Sequence, residues 1–552
     1  MRATPTGQQA KATPSTGPEG SSGAPSEPAE ATHTAGWVPA VARFAPVIAA
    51  SALMAYFGWW GLARESAMGN DEVVSRYAAG LSLGQLVQLL RRVDIVHGLY
   101  YLMLHGWMAV GTSPAVLRIP SVIAMVAAAA LMVILARRLT GSGWAGLFAG
   151  LIMVLTPSIS YYAQTARSYA LVLACVLAET LALLSALQAE RANPASDRNT
   201  RQWLIYGALV TLSAYLNEMA LLVLPAHAIT VLLTRYGRRT ARRWAVTSVI
   251  AFVLALPVLI ISVLQRGYAS YIGMPNWQQV DLLYQNFFGA QATAARLLVA
   301  CAVVAVLPPL PWWRRQRRGG GAGTGAKPAS PWWSGGGVSV ASVALPLLLV
   351  PAGLLLAESR LVHPLFQQRY VQYGEAGVAL LAGAGAYRIG RWLVAALRRP
   401  ETVVVPGIAV CVFAALLQLQ MQHFYRTPGS RAFNFGGPAF YVGAHAHRGD
   451  GVLFMSSFYR KAELGYPEQF RETSDFALAV PPLDAPYQGI DKPLPAILPL
   501  MPGYQRIWVI GYLPSPTLPG ALREESQVLM QDFSQAGVRG YQGVWLSLWV
   551  RR

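Results

Sequence analysis

About eleven apolar runs, each near the ~20 residues that carry a helix across a bilayer core, punctuate this chain between residues 40 and 421. In lipid every backbone N–H and C=O must be satisfied within the protein, and a helix does this segment by segment. The runs are 40–62, 119–137, 143–159, 169–188, 203–217, 219–234, 244–264, 292–311, 338–357, 373–392 and 402–421. The stretch 203–234 is too long for one helix and carries Asn217 and Glu218 at its middle, so we read it as a helical hairpin. Composition agrees. Of the 552 residues, 54% are apolar and 12% charged, about half the ~25% of soluble domains. The fold class is therefore an all-α polytopic membrane protein.

Charge gives an orientation. The net charge is +19 and sits in short clusters between apolar runs, at 137–138, 235–243, 314–318 and 388–399. With the N-terminus in the cytoplasm and alternating crossings, all of these fall inside, as cytoplasmic loops require. No basic stripe interleaved with aromatics is present, so nucleic acid is excluded as a partner. Cys175, Cys301 and Cys411 each lie in an apolar run and form neither a disulfide framework nor a zinc spacing. The Gly-rich segment 319–325 lacks the Lys-Ser/Thr of a phosphate loop and reads as a linker.

Three divisions follow. Residues 1–36, rich in Pro, Gly, Ser, Thr and Ala, read as a disordered cytoplasmic tail. Residues 37–421 form the membrane domain, with a long outer loop at 63–118 whose stretches 72–92 and 95–110 are amphipathic, like interfacial helices. Residues 422–552 read as a small extracytoplasmic α/β domain, with strands near 451–457, 506–512 and 544–551 and a helix over 521–536.

The residues that carry chemistry gather at the outer mouths of the spans. Asp71 and Glu72 follow the first span. Desolvation at a membrane edge would raise a carboxyl pKa and make a better base; the bland alternative is a helix N-cap at Asn70 or Asp71. Asp94, His97, Tyr100, Tyr101 and His105 follow, with phosphate binding or headgroup anchoring as the two readings of His97. Arg118, Arg167 and Arg369 lie at later outer mouths, beside Tyr162, Tyr169 and Tyr370. A guanidinium fork suits phosphate oxygens, or snorkels to lipid.

In order and topology these residues resemble the GT-C class of polyprenyl-phosphate-dependent inverting glycosyltransferases, above all the protein O-mannosyltransferase branch, family 39, and its bacterial relatives. Asp71-Glu72 is similar to that family's Asp-Glu of the first outer loop, and 93–101 to its His-Pro-Pro-Leu-Tyr-Tyr stretch. Residues 117–121 are similar to Leu-Arg-x-Pro-Ser, 162–169 to Tyr-Ala-Gln-Glu-x-Arg-x-Tyr, and 368–370 to a late Arg-Tyr. Gly98, Thr165 and Asn217 depart from the pattern, standing where Pro, Glu and Thr are common.

The resemblance implies transfer of a sugar, most often mannose, from a polyprenyl phosphate to a hydroxyl acceptor on a protein, glycolipid or cell-wall polymer. It implies Asp71 as the base, Glu72 as its support or the acceptor's guide, and His97, Arg118, Arg167 and Arg369 as donor-phosphate ligands. Tyr101, Tyr162, Tyr169 and Tyr370 would line the substrate. The carboxylate pair also has the chemistry for Mg²⁺ or Mn²⁺; no other cofactor is implied. A transporter or lipid flippase, which would place ionisable groups near span centres, and a catalytically silent scaffold are the alternatives.

Overall fold

The computed structural model describes residues 37–63, 67–193, 198–307, 337–485 and 488–552. The tail 1–36, the basic cluster 314–318 and the segment 319–325 lie outside them. Each apolar run coincides with a helix or a bent helix pair, from Trp37–Trp59 to Val405–Phe424. Among the described residues, five helices are long and apolar enough to cross a membrane singly, or up to seven if each of two bent pairs counts as one span. The run 203–234 does turn at Asn217: Arg198–Leu216 ends there, and the Asn217 side chain accepts from the Met219 N–H at 3.0 Å to start the next turn.

Both bends have local causes. Gly143–Leu155 meets Pro157–Ala163 at 69°, because Pro157 lacks the N–H that would continue the helix. Trp277–Phe288 meets Ala292–Val306 at 70° across Gly289, whose φ is +95°; that conformation favours glycine. The sequence reading gave no helix at 277–288.

Helix Glu375–Leu397 runs through the core of the bundle. A Cβ at Gly385 would lie 1.8 Å from the Cys301 carbonyl oxygen, and one at Gly383 would lie 2.4 Å from the Ala149 nitrogen. Small residues let the backbones approach where lipid supplies no hydrophobic drive between helices.

At the C-terminus, five strands form one sheet in the order 473–475, 450–454, 506–511, 544–551, 533–541. The first three run parallel, and the last two add antiparallel. The expected helix 521–536 stops at Asp532, and 533–541 is instead an edge strand. That strand is almost wholly exposed, so no apolar alternation announced it; the Gln542-Gly543 turn and pairing with Val544–Arg551 create it.

The sheet is apolar on both faces. Leu453, Ile507 and Val509 pack with Leu529 of the sheet's own helix. Val452, Phe454, Trp508, Ile510 and Leu546 point the other way, into a core shared with Val73, Leu89, Tyr100 and Leu104 of the segment 63–118. The loop helices Asn70–Gly80, Leu83–Arg92 and Gly98–Trp107 are amphipathic as expected, but the face they bury meets this sheet. Leu83, Val87 and Leu102 remain exposed. Residues 44–552 accordingly cluster as one unit.

Candidate active site

Helix Asn70–Gly80 follows the first apolar helix, Trp37–Trp59. Gly69 is its N-cap, and Glu72, at the third helical position, accepts from the Gly69 N–H at 2.9 Å. The capping role thus falls to Glu72, while Asp71 is left for other contacts.

Glu72 is fully engaged. Its Oε1 accepts from Arg118 Nε at 2.7 Å and Ala166 N–H at 2.9 Å, and its Oε2 from Arg118 Nη2 at 2.9 Å. Arg431, from the C-terminal segment, stands 3.9 Å from Oε2. Burial alone would raise the Glu72 pKa, but Arg118 and Arg431 outweigh it and hold it at about 2. Arg118 is fully buried, and its Nη2 also donates to the Ala67 carbonyl at 2.8 Å. This corrects the expectation that Arg118 meets a donor phosphate: its guanidinium belongs to Glu72. Both Glu72 oxygens accept from protein donors, so Asp71 and Glu72 are not presented together as a free carboxylate pair. Among the described residues, no group of three or more His, Cys, Asp or Glu has metal-ligating geometry.

Asp71 instead opens onto a cavity of about 630 Å³. Of the expected site residues, His97, Arg167, Tyr169, Arg369 and Tyr370 share its wall. Glu72, Arg118, Tyr101 and Tyr162 do not. Tyr101 is buried behind the wall, donating to the Asp94 carboxylate and accepting from Arg167. Tyr162 packs edge-on against Tyr169 at 5.4 Å.

The cavity's electrostatics differ from the simple expectation for Asp71. Burial pushes its pKa up, but Arg369, 3.6 Å away, with Arg167, His97 and Lys461, brings it down to about 2. Asp71 is a carboxylate throughout the physiological range. His97 moves to about 3, because burial and Arg167 outweigh Asp94 and Asp71. It is therefore a neutral imidazole bonded to Ser168 Oγ at 3.1 Å, and brings no positive charge to a phosphate. Arg167 stands 3.6 Å from Asp94 and 3.3 Å from Ser75 Oγ.

Two wall or support residues, Arg431 and Lys461, escaped the sequence reading of the site, and Asp94 took a place there that the sequence did not assign. Asp94 adopts the left-handed conformation at φ +60°, uncommon for a residue with a side chain, and places its carboxylate at Arg167. Arg431 and Lys461 come from the C-terminal segment. Lys461 Nζ donates to Asn70 Oδ1 at 2.5 Å, and burial lowers its pKa to about 8 against the pull of Asp71. Only the fold relates these two residues to Asp71.

The departures from the family pattern have structural partners. Thr165 accepts from Arg431 at 3.1 Å and donates to the Tyr161 carbonyl at 2.8 Å. Glu218 accepts from Ser262 at 2.6 Å and lines the cavity. A larger groove of about 920 Å³ runs between helices Arg198–Leu216 and Arg238–Gln265. It is lined mainly by apolar residues, with no carboxylate or imidazole.

The helical bundle, with the Asp71 carboxylate on a cavity lined by four acidic and four basic side chains, has counterparts among solved membrane proteins. The fold is that of the GT-C glycosyltransferases. The chain matches the crystal structure of ArnT from Cupriavidus metallidurans bound to undecaprenyl phosphate with TM-score 0.51 and 13% identity, covering 93% of this chain and 98% of that one. The apo ArnT structure matches with TM-score 0.52 and 12% identity, over 92% and 98%. The Archaeoglobus fulgidus oligosaccharyltransferase tethered with an acceptor peptide matches with TM-score 0.51 and 10% identity, over 93% and 74%. In sequence, residues 98–261 match the family described as Dolichyl-phosphate-mannose-protein mannosyltransferase, in line with the motif resemblance. No curated protein matches the chain in sequence.

Proposed function

We propose that this protein is an inverting membrane glycosyltransferase. It moves a sugar, mannose in our reading, from a polyprenyl phosphate to a hydroxyl acceptor on a protein, glycolipid or cell-wall polymer. The observation that carries this is Asp71: a permanently ionised carboxylate on the wall of a 630 Å³ cavity, 3.6 Å from Arg369 and sharing that wall with Arg167. In this reading all eleven apolar runs cross the membrane, the N-terminus is cytoplasmic, and the cavity and residues 422–552 lie outside. Residues 1–36 are a tail and 37–421 the membrane domain.

The donor's leaving group is a phosphate that needs charge neutralisation rather than a proton. Arg369 and Arg167 supply it in a partly desolvated site, where fixed charges act more strongly than in water. The acceptor oxygen attacks the anomeric carbon as the sugar–phosphate bond breaks on the opposite face. Its proton passes to Asp71, and the polyprenyl phosphate leaves with the bonding pair. A carboxylate of pKa about 2 is a weak base while Arg369 stands beside it. A bound phosphate shares that cation's field, so donor binding raises the basicity of Asp71 when the proton must move. Glu72 and Arg118 hold the turn that aims Asp71. Tyr169 and Tyr370 line the sugar, and His97 acts as a neutral hydrogen-bonding group.

The test is transfer from labelled polyprenyl-phosphate mannose to a total envelope extract, in membranes carrying wild type or Asp71→Asn. Transfer by wild type that collapses in the variant at equal expression supports the reading. Equal transfer by both removes Asp71 from the mechanism.

A further inference from the structure

We infer that Lys461 is a ligand of the donor phosphate, contributed to the active site by the C-terminal sheet unit. The inference rests on the transferase reading above and extends it to a segment whose sequence carried no assignable chemistry.

Lys461 opens a short helix, Lys461–Gly465, that is clamped onto the helix bearing Asp71. Arg76 of that helix donates to the Gly465 carbonyl and pairs with Glu468 at 2.9 Å. A Cβ on Gly465 would come within 3.0 Å of the Val73 side chain, so the glycine leaves room for Val73 to pack against this turn. Tyr466 accepts from the Met68 N–H at 3.0 Å. The position of Lys461 relative to Asp71 is therefore fixed by several independent contacts.

The ammonium itself is incompletely satisfied. Lys461 is only 5% exposed, and its Nζ makes one hydrogen bond, to the neutral amide of Asn70, while standing 4.1 Å over the Phe458 ring. Among the described residues, no carboxylate lies within ion-pair distance of it. A buried lysine is almost always paired, and an uncompensated buried charge costs several kcal/mol. Two N–H groups remain, and Lys461 lines the cavity that Asp71, Arg167 and Arg369 line. Of the other cations on this wall, Arg167 is matched to Asp94 and Arg369 to Asp71, while Arg266 is exposed to solvent. Among the described residues, an anion entering the cavity finds in Lys461 a buried wall cation that no carboxylate has claimed.

The experiment measures equilibrium binding of undecaprenyl phosphate and of the uncharged undecaprenol to the full-length protein in nanodiscs. Wild type, Lys461→Met and Lys461→Arg are compared. We expect Lys461→Met to weaken undecaprenyl phosphate binding about tenfold or more, the loss of one charge-assisted contact. Undecaprenol binding should be unchanged, and Lys461→Arg should recover most of the phosphate affinity. Equal weakening for both lipids would make Lys461 a structural residue and overturn the inference, as would no weakening. A second measurement needs no variant: amine-reactive labelling of wild-type Lys461, read by mass spectrometry. Protection by undecaprenyl phosphate but not undecaprenol is expected, and equal labelling with both overturns the inference. If wild type binds no undecaprenyl phosphate at all, the donor reading falls and this inference with it. If wild type binds and the variant binds equally, only Lys461 is displaced.

Discussion

Arg118 Nε lies 2.7 Å from Glu72 Oε1, and both side chains are almost completely withdrawn from solvent. One helix, Pro114–Thr140, thereby grips the first turn of another, Asn70–Gly80, at the residue next to Asp71. Removing one partner leaves a buried charge without its counterion, at a cost of about 3–5 kcal/mol. Arg118→Met should therefore lower the thermal unfolding midpoint sharply in detergent. The double variant Glu72→Met/Arg118→Met should recover part of that stability without recovering transfer. A single variant as stable as wild type would show that the pair holds nothing in place.

The same carboxylates set an acid limit. Both Asp71 and Glu72 have folded-state pKa values near 2, below their ordinary 3.8 and 4.5. Groups depressed on folding contribute stability that is fully present above the unfolded pKa and is lost as pH falls toward the folded one. Unfolding midpoints should hold level from pH 7 to about 5 and fall from about 4.5 toward 2. Glu72→Gln should lower the midpoint at pH 7 and flatten the acid slope. An equally steep slope in that variant would assign the acid sensitivity to other groups.

Asp71→Asn separates base from binding. Transfer should drop by about 10² to 10⁴, the usual contribution of a positioned base. Donor affinity should hold or tighten, because the variant removes a negative charge 3.6 Å from Arg369. Titration with undecaprenyl phosphate reads this directly, and weaker binding would place Asp71 among the groups that hold the donor.

Arg369→Met should act in the opposite sense. It removes a charge-assisted contact of about 1.5–3 kcal/mol, raising the donor KM roughly ten- to hundredfold. With its strongest neighbouring cation gone, Asp71 should titrate at higher pH, shifting the acidic limb of the transfer profile upward. An unchanged KM would move the phosphate away from Arg369.

The clamp between loop and sheet unit offers a test of their mutual dependence. Arg76→Ala removes the pair with Glu468 and the bond to Gly465. Limited proteolysis should then cut more readily within 461–470, and transfer should fall with it. Faster cleavage with undiminished transfer would show that the sheet unit does not complete the site.

Much of this was legible along the chain. Runs of about twenty apolar residues permit little besides helices in lipid, so the helical segments could be located before any contact was known. The helix break at Asn217 was legible because a polar pair interrupts an overlong run. Asp71, Arg167 and Arg369 stood out as charged groups at outer mouths, and all three reach one cavity. The edge strand 533–541 was not legible, since its partner strand, rather than its own pattern, holds it extended. The pairing of Glu72 with Arg118 was not legible for a related reason: adjacent carboxylates look equivalent in sequence. On a helix they diverge, one toward the cavity and the other back to its own N-cap and to a buried arginine.

The sequence by itself determined the class of the molecule and the neighbourhood of its chemistry, because both rest on local physics: helix length, apolarity and charge placement. Only the tertiary structure decided which charges face the cavity and which are neutralised behind it. It alone brought Lys461 and Arg431 to a loop more than three hundred residues earlier. Such contacts depend on how two faces of one sheet are covered, and no periodicity along the chain encodes the distance between residues that meet across that core.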